Sequence, residues 1–128
     1  MRDHEREFEA AGARLAAVGL GDLRYAETFR KESGIDFPLL VDRERRAYEL
    51  AGLRSASVLH LAYPTNVAAG ARALAAGFRQ RALGEHPFQL GGSFVFAPGD
   101  VQLHAHVNET FSDDATPAAL LAVVRRRA

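Results

Sequence analysis

Two β-type runs either side of Ala97-Pro98-Gly99-Asp100 commit residues 91–107, GGSFVFAPGDVQLHAHV, to an antiparallel hairpin. Pro98 presets its own φ and Gly99 admits a positive one, so the chain reverses there at little cost. In the second run Val101, Leu103, Ala105 and Val107 alternate with Gln102, His104, His106 and Asn108. Successive strand side chains point to opposite faces. The spacing therefore predicts one apolar face and one polar, outward face carrying both histidines.

What precedes the hairpin alternates in a different way. Residues 2–11 read as a charged surface helix that stops at Gly12, and 13–20 as a short buried strand bounded by glycines. Asp22 can cap a helix over 23–33, with Leu23, Ala26 and Phe29 near one face and Gly34 beyond its end. IDFPLLVD is a second strand, confined to an edge or a strand start by Pro38. Asp42 can cap a helix in RERRAYELAGL, with Ala47, Leu50 and Ala51 on one side and Gly52 at its end. Residues 54–63 carry no clear pattern. An Ala-rich helix from near Thr65 or Asn66 to near Gly84 carries Val67, Ala71, Leu74, Ala75 and Phe78 at helical spacing. Thr116, with Pro117 at the first helical position, opens the last helix. Such alternation is the signature of an α/β fold with parallel strand pairing, here in one domain over residues 1–128.

Composition removes several functions. Sixteen basic and sixteen acidic residues leave a formal net charge of zero, so neither nucleic acid nor an anionic membrane surface is an expected partner. The Arg125–Arg127 run complements the negative end of the terminal helix. No apolar run approaches the ~20 residues of a membrane span and no signal peptide is evident, so a cytoplasmic protein is expected. The cysteine count is zero, which excludes disulfides, Cys-ligated metal sites and a thiol nucleophile within the chain.

On GARLAAVGLG, FPLLVDRERRAYELAGL, the long helix ending GFRQ, and HPFQLGGSFVFAPGDVQLHAHVNETFSDD, the chain resembles the AhpC/TSA-type antioxidant proteins of the peroxiredoxin-like group. The likeness runs from about Phe8 to Val124. It implies a thioredoxin-like mixed sheet with flanking helices, and a family role in thiol-dependent redox chemistry. Such proteins start with a strand and a helix whose N-terminal end holds a reactive cysteine, often as a C-x-x-C pair. The resemblance implies that this chain lacks that first β-α half-unit. Two rows of backbone groups would then stand unpaired, ~10 Å apart at the usual strand spacing. A homodimer that covers these sheet edges is expected.

Candidate site residues are few. Gly91, Gly92 and Ser93 occupy the place that lines the active-site turn in related folds; alone, they read as a loop-to-strand turn needing positive φ. His104 and His106 share a face and could hold a metal if His60, His86 or Asp113 converged, but a polar outer face is the preferred reading. The resemblance puts a family-typical histidine at His106, with Ser112 and Asp113 after it, in a role of anchoring the last loop. Ser93, His106 and Asp113 make a triad only on paper, because no G-x-S-x-G elbow is present. His4 reads as an exposed helix residue. No catalytic residue, cofactor or metal is assigned. Three readings remain open: a cysteine-free, redox-inactive module acting by self-association or partner binding; a fragment of a thiol oxidoreductase whose cysteine lies upstream of Met1; and a small-molecule binding domain.

Overall fold

A computed structural model describes residues 1–55, 68 and 89–127. A 3-10 turn over Arg2–His4 leads into α1 (Glu5–Ala10), followed by β1 (Ala17–Gly19), α2 (Leu23–Ser33), β2 (Leu39–Val41) and α3 (Arg46–Leu50). After residues 56–67 and 69–88 come β3 (Gly92–Ala97), β4 (Val101–Val107) and α4 (Pro117–Arg125). The Ala-rich helix expected over 65–84, and His60 and His86, lie outside the described residues.

The architecture is mixed α/β. Its described strands form two sheets of two strands each, not one continuous sheet. β1 runs parallel to β2 with Val18 opposite Leu40, and β3 runs antiparallel to β4 with Ser93 opposite His106. A bulge between Val95 and Phe96 sits near the turn, where Gly99 and Asp100 both adopt positive φ. Such bulges bend the strand and increase its twist.

Local chemistry explains where the helices begin and stop. The Asp22 carboxylate accepts the Tyr25 N–H at 2.8 Å, and Gly34 ends α2 in the left-handed conformation (φ 60°). The Thr116 hydroxyl accepts the Ala119 N–H at 3.2 Å, with Pro117 as the first residue of α4. Asp42 serves α3 from three residues before its N-cap, Arg45. Its carboxylate accepts the N–H groups of Arg46, Ala47 and Tyr48 at 3.0, 2.8 and 3.3 Å.

The core lies between α1, α4 and the β3–β4 hairpin. Phe8, Leu120 and Leu121 are buried together, with Ala11, Ala13, Leu15, Val95, Ala115 and Val124 packed around them. One expectation is corrected here, and two helix faces are left open. The strand expected over 13–20 is confined to Ala17–Gly19, because Ala13 and Leu15 turn into this core before the chain reaches β2. α2 buries none of its residues, and Leu23 is 73% exposed, since among the described residues only β2 packs against it appreciably. Leu50 is 90% exposed, because α3 ends there after five residues.

Candidate functional site

The histidine face of the hairpin is the second point at which pattern and packing part. Directly opposed residues of an antiparallel pair share a face. His104 opposes Val95, and His106 opposes Ser93. Val95 packs on the Phe8–Leu120–Leu121 core, so the histidines lie on the half-buried side under α4, not on an outward polar face. The outward side instead carries Phe94 and Phe96, whose rings stack with centroids 6.3 Å apart, together with exposed Ala105.

His106 closes a loop. Its Nε2 donates to the Asp113 carbonyl oxygen at 2.8 Å and lies 3.3 Å from Asp113 Oδ1. The other carboxylate oxygen of Asp113 accepts the Glu109 N–H at 2.9 Å. Asn108, only 4% exposed, donates from Nδ2 to Asp114 at 2.6 Å and from its backbone N–H to the Gly91 carbonyl at 3.1 Å. Residues 108–114 are thereby folded back on the end of β4. Among the described residues no hydrogen bond joins Ser93 to His106, and no cluster of three metal-ligating side chains forms. The structure thus brings Ser93 and His106 side by side and His106 to Asp113, without building a nucleophile–base pair.

Gly91 and Gly92 have ordinary negative-φ backbone, which corrects the positive-φ turn expected of them. Gly92 is instead a point of close approach. A Cβ there would stand 2.7 Å from both the His106 carbonyl oxygen and Leu53 Cδ2, and 3.2 Å from the Phe94 ring. Gly91 carries no such restriction, since its nearest neighbour would be Asn108 Nδ2 at 3.9 Å.

Two arrangements have no signal in the sequence. Arg45, in left-handed conformation (φ 61°), donates from Nη2 to Gln89 Oε1 at 2.5 Å. Gln89 Nε2 is in turn held by the carbonyls of Arg54 at 3.0 Å and Leu90 at 2.9 Å. This chain of bonds ties the turn after β2 to the entry of β3. The Tyr48 hydroxyl donates to the Val18 carbonyl at 2.8 Å, joining α3 to β1 across 30 residues. Burial, and secondarily the Asp42 charge, hold the Tyr48 hydroxyl above its ordinary pKa. Both contacts pair groups distant in sequence, where no local pattern reports them.

A shallow cavity of about 270 Å³ lies between α1 and α4, lined by His4, Glu7, Ala118, Leu121, Ala122 and Arg125. His4 Nδ1 and Glu7 meet there at 2.7 Å. None of Gly91, Gly92, Ser93, His106 or Asp113 lines it. Among the described residues, no helix is long and apolar enough to cross a membrane.

Fold and site together define a small mixed α/β protein whose hairpin and loop are well bonded, whose sequence holds no thiol, and in which no catalytic group is assembled among the described residues. A sequence model of the AhpC/TSA antioxidant enzyme family matches residues 1–110, and the chain belongs to that family. No curated protein and no solved structure matches it.

Proposed function

We propose that this chain is a redox-inactive member of the AhpC/TSA family that acts through association at its open sheet edges, with a second copy or another partner. The observation that carries the reading is the complete absence of cysteine from 128 residues of a family whose role is thiol-dependent. Peroxide reduction there requires a thiolate that attacks the O–O bond and is itself oxidised to a sulfenic acid. A serine or threonine hydroxyl has no such oxidation state to enter. Association is supported by the strand pairing. Among the described residues β1 has only β2 as a neighbour, and β3 only β4. One face of the parallel pair is also open, with Val18 42% and Leu40 56% exposed, whereas parallel strands are ordinarily covered on both faces. The chain should consume no peroxide above background with dithiothreitol as reductant, and should sediment as more than one copy. Peroxidase activity in the pure chain, or one-copy mass at every concentration with no partner recovered, would overturn it.

The same open edges favour a second reading, in which a strand and a cysteine-bearing helix belong between β1 and β3 and lie on a preceding segment. The intact mass of the endogenous protein separates the two. A value well above 13.9 kDa supports the second.

A further inference from the structure

We propose that the cavity between α1 and α4 is a binding site for a small carboxylate with a compact apolar body, and that Arg125 takes its charge. This goes beyond the reading of the chain as an association module and does not depend on it. All six residues that line the cavity are among the described ones. Leu121 forms its floor, only 3% exposed and clustered with Phe8 and Leu120, and Ala118 and Ala122 of α4 lie beside it. The apolar surface of the cavity is thus continuous with the core.

The polar end is defined by which charges already have partners. Glu7 has one, since its Oε1 lies 2.7 Å from His4 Nδ1. A carboxylate only accepts, so Nδ1 carries the proton and donates. Arg126 has one as well: its Nε turns back to the Ala122 carbonyl at 3.2 Å and answers the negative end of α4. Arg125, in the last turn of the same helix, has neither. Among the described residues its guanidinium meets no carboxylate and no carbonyl, although Glu7 lines the same cavity. An apolar floor with an unpaired cation at its wall suits an anion whose remaining atoms are apolar. The planar fork of guanidinium donors matches a carboxylate. Inorganic phosphate would leave Leu121 uncovered. Size narrows the class further. An apolar cavity of about 150 Å³ holds benzene. The 270 Å³ here accommodates a carboxylate of about ten non-hydrogen atoms, such as phenylacetate.

The test is titration of the full chain with phenylacetate at constant ionic strength, read from the amide NMR shifts of Glu7, Leu121 and Ala122. Phenylacetamide serves as the uncharged probe of the same shape. Phenylacetate should give saturable shifts with a dissociation constant on the order of 1 mM, the range open to so small a ligand in a shallow site. Phenylacetamide should bind about 5-fold more weakly, and Arg125→Gln should weaken phenylacetate by a similar factor, since each removes the charge from one side of the pair. Ala118→Leu fills the cavity from its rim and should weaken both probes. Arg24→Gln, which removes a charge from exposed α2, should leave the constant as it is. Arg125 and Ala118 are exposed on α4, and circular dichroism checks that the helix is kept. Shifts that do not saturate, equal affinities for the two probes, or an unchanged constant in Arg125→Gln or Ala118→Leu would each overturn the site. So would an equal loss in Arg24→Gln.

Discussion

His106 Nε2 stands 2.8 Å from the carbonyl oxygen of Asp113, seven residues further along the chain. A carbonyl can only accept, so this nitrogen carries the proton and the ring donates. The bond closes the 108–114 loop at the point where the Asp113 carboxylate also receives the Glu109 N–H. His106→Ala should therefore cost about 1 kcal/mol, the net worth of one hydrogen bond, and should speed amide exchange at Glu109. Urea unfolding and hydrogen exchange read both. An unaltered Glu109 rate would mean that the loop holds without the histidine.

Adjacent glycines should respond oppositely to the same methyl group. At Gly92 a Cβ meets a backbone oxygen and a leucine methyl at 2.7 Å, and the backbone oxygen cannot move away without disturbing the β3–β4 pairing. Gly92→Ala should destabilise by about 1–3 kcal/mol, as overpacking does. Gly91→Ala adds a methyl at ordinary contact distance and should stay within about 0.5 kcal/mol of the parent. Equal midpoints for the two variants in denaturant would contradict the close approach.

Asp42 carries more than an ordinary cap, since three N–H groups of α3 converge on one carboxylate. Asp42→Ala leaves all of them to water and should cost about 0.5–2 kcal/mol. Asp42→Asn keeps one acceptor and should recover part of that loss. Thermal unfolding of the pair tests the ordering, and an asparagine variant no more stable than the alanine one would refute it.

The caps of α2 and α4 were legible because they are local: Asp22, Gly34, Thr116 and Pro117 act on residues within one turn. The hairpin was legible for the same reason. The burial of each face was not. Alternation shows that His104 and His106 share a side, but only the packing of Val95 under α4 decides that this side is inward. Leu23 and Phe29 follow helical spacing, yet spacing does not supply a surface to cover them. Gly92 carries the composition of a turn, while its actual constraint comes from Leu53, distant in sequence. Of the candidate site, the bond from His106 to Asp113 spans seven residues, whereas the bonds from Tyr48 to Val18 and Arg45 to Gln89 span 30 and 44. Contacts of that reach leave no periodic trace.

Alkaline stability provides the last test, and its sign follows from the Tyr48 environment. Burial, with the Asp42 charge behind it, raises the folded-state pKa of this hydroxyl above the ordinary tyrosine value of 10.0. The unfolded chain then gives up the proton first. The contribution of Tyr48 is fully present below the unfolded value, declines as pH rises past it, and is lost as pH passes through the raised folded value. Ionisation in the native state also removes the proton donated to Val18. Unfolding free energies measured from about pH 9 to about pH 11, bracketing the tyrosine range, should fall more steeply in the wild type than in Tyr48→Phe, which has no proton to lose there. Parallel slopes in the two proteins would show that the hydroxyl is not held in a protected environment and that its bond to the Val18 carbonyl adds little to stability.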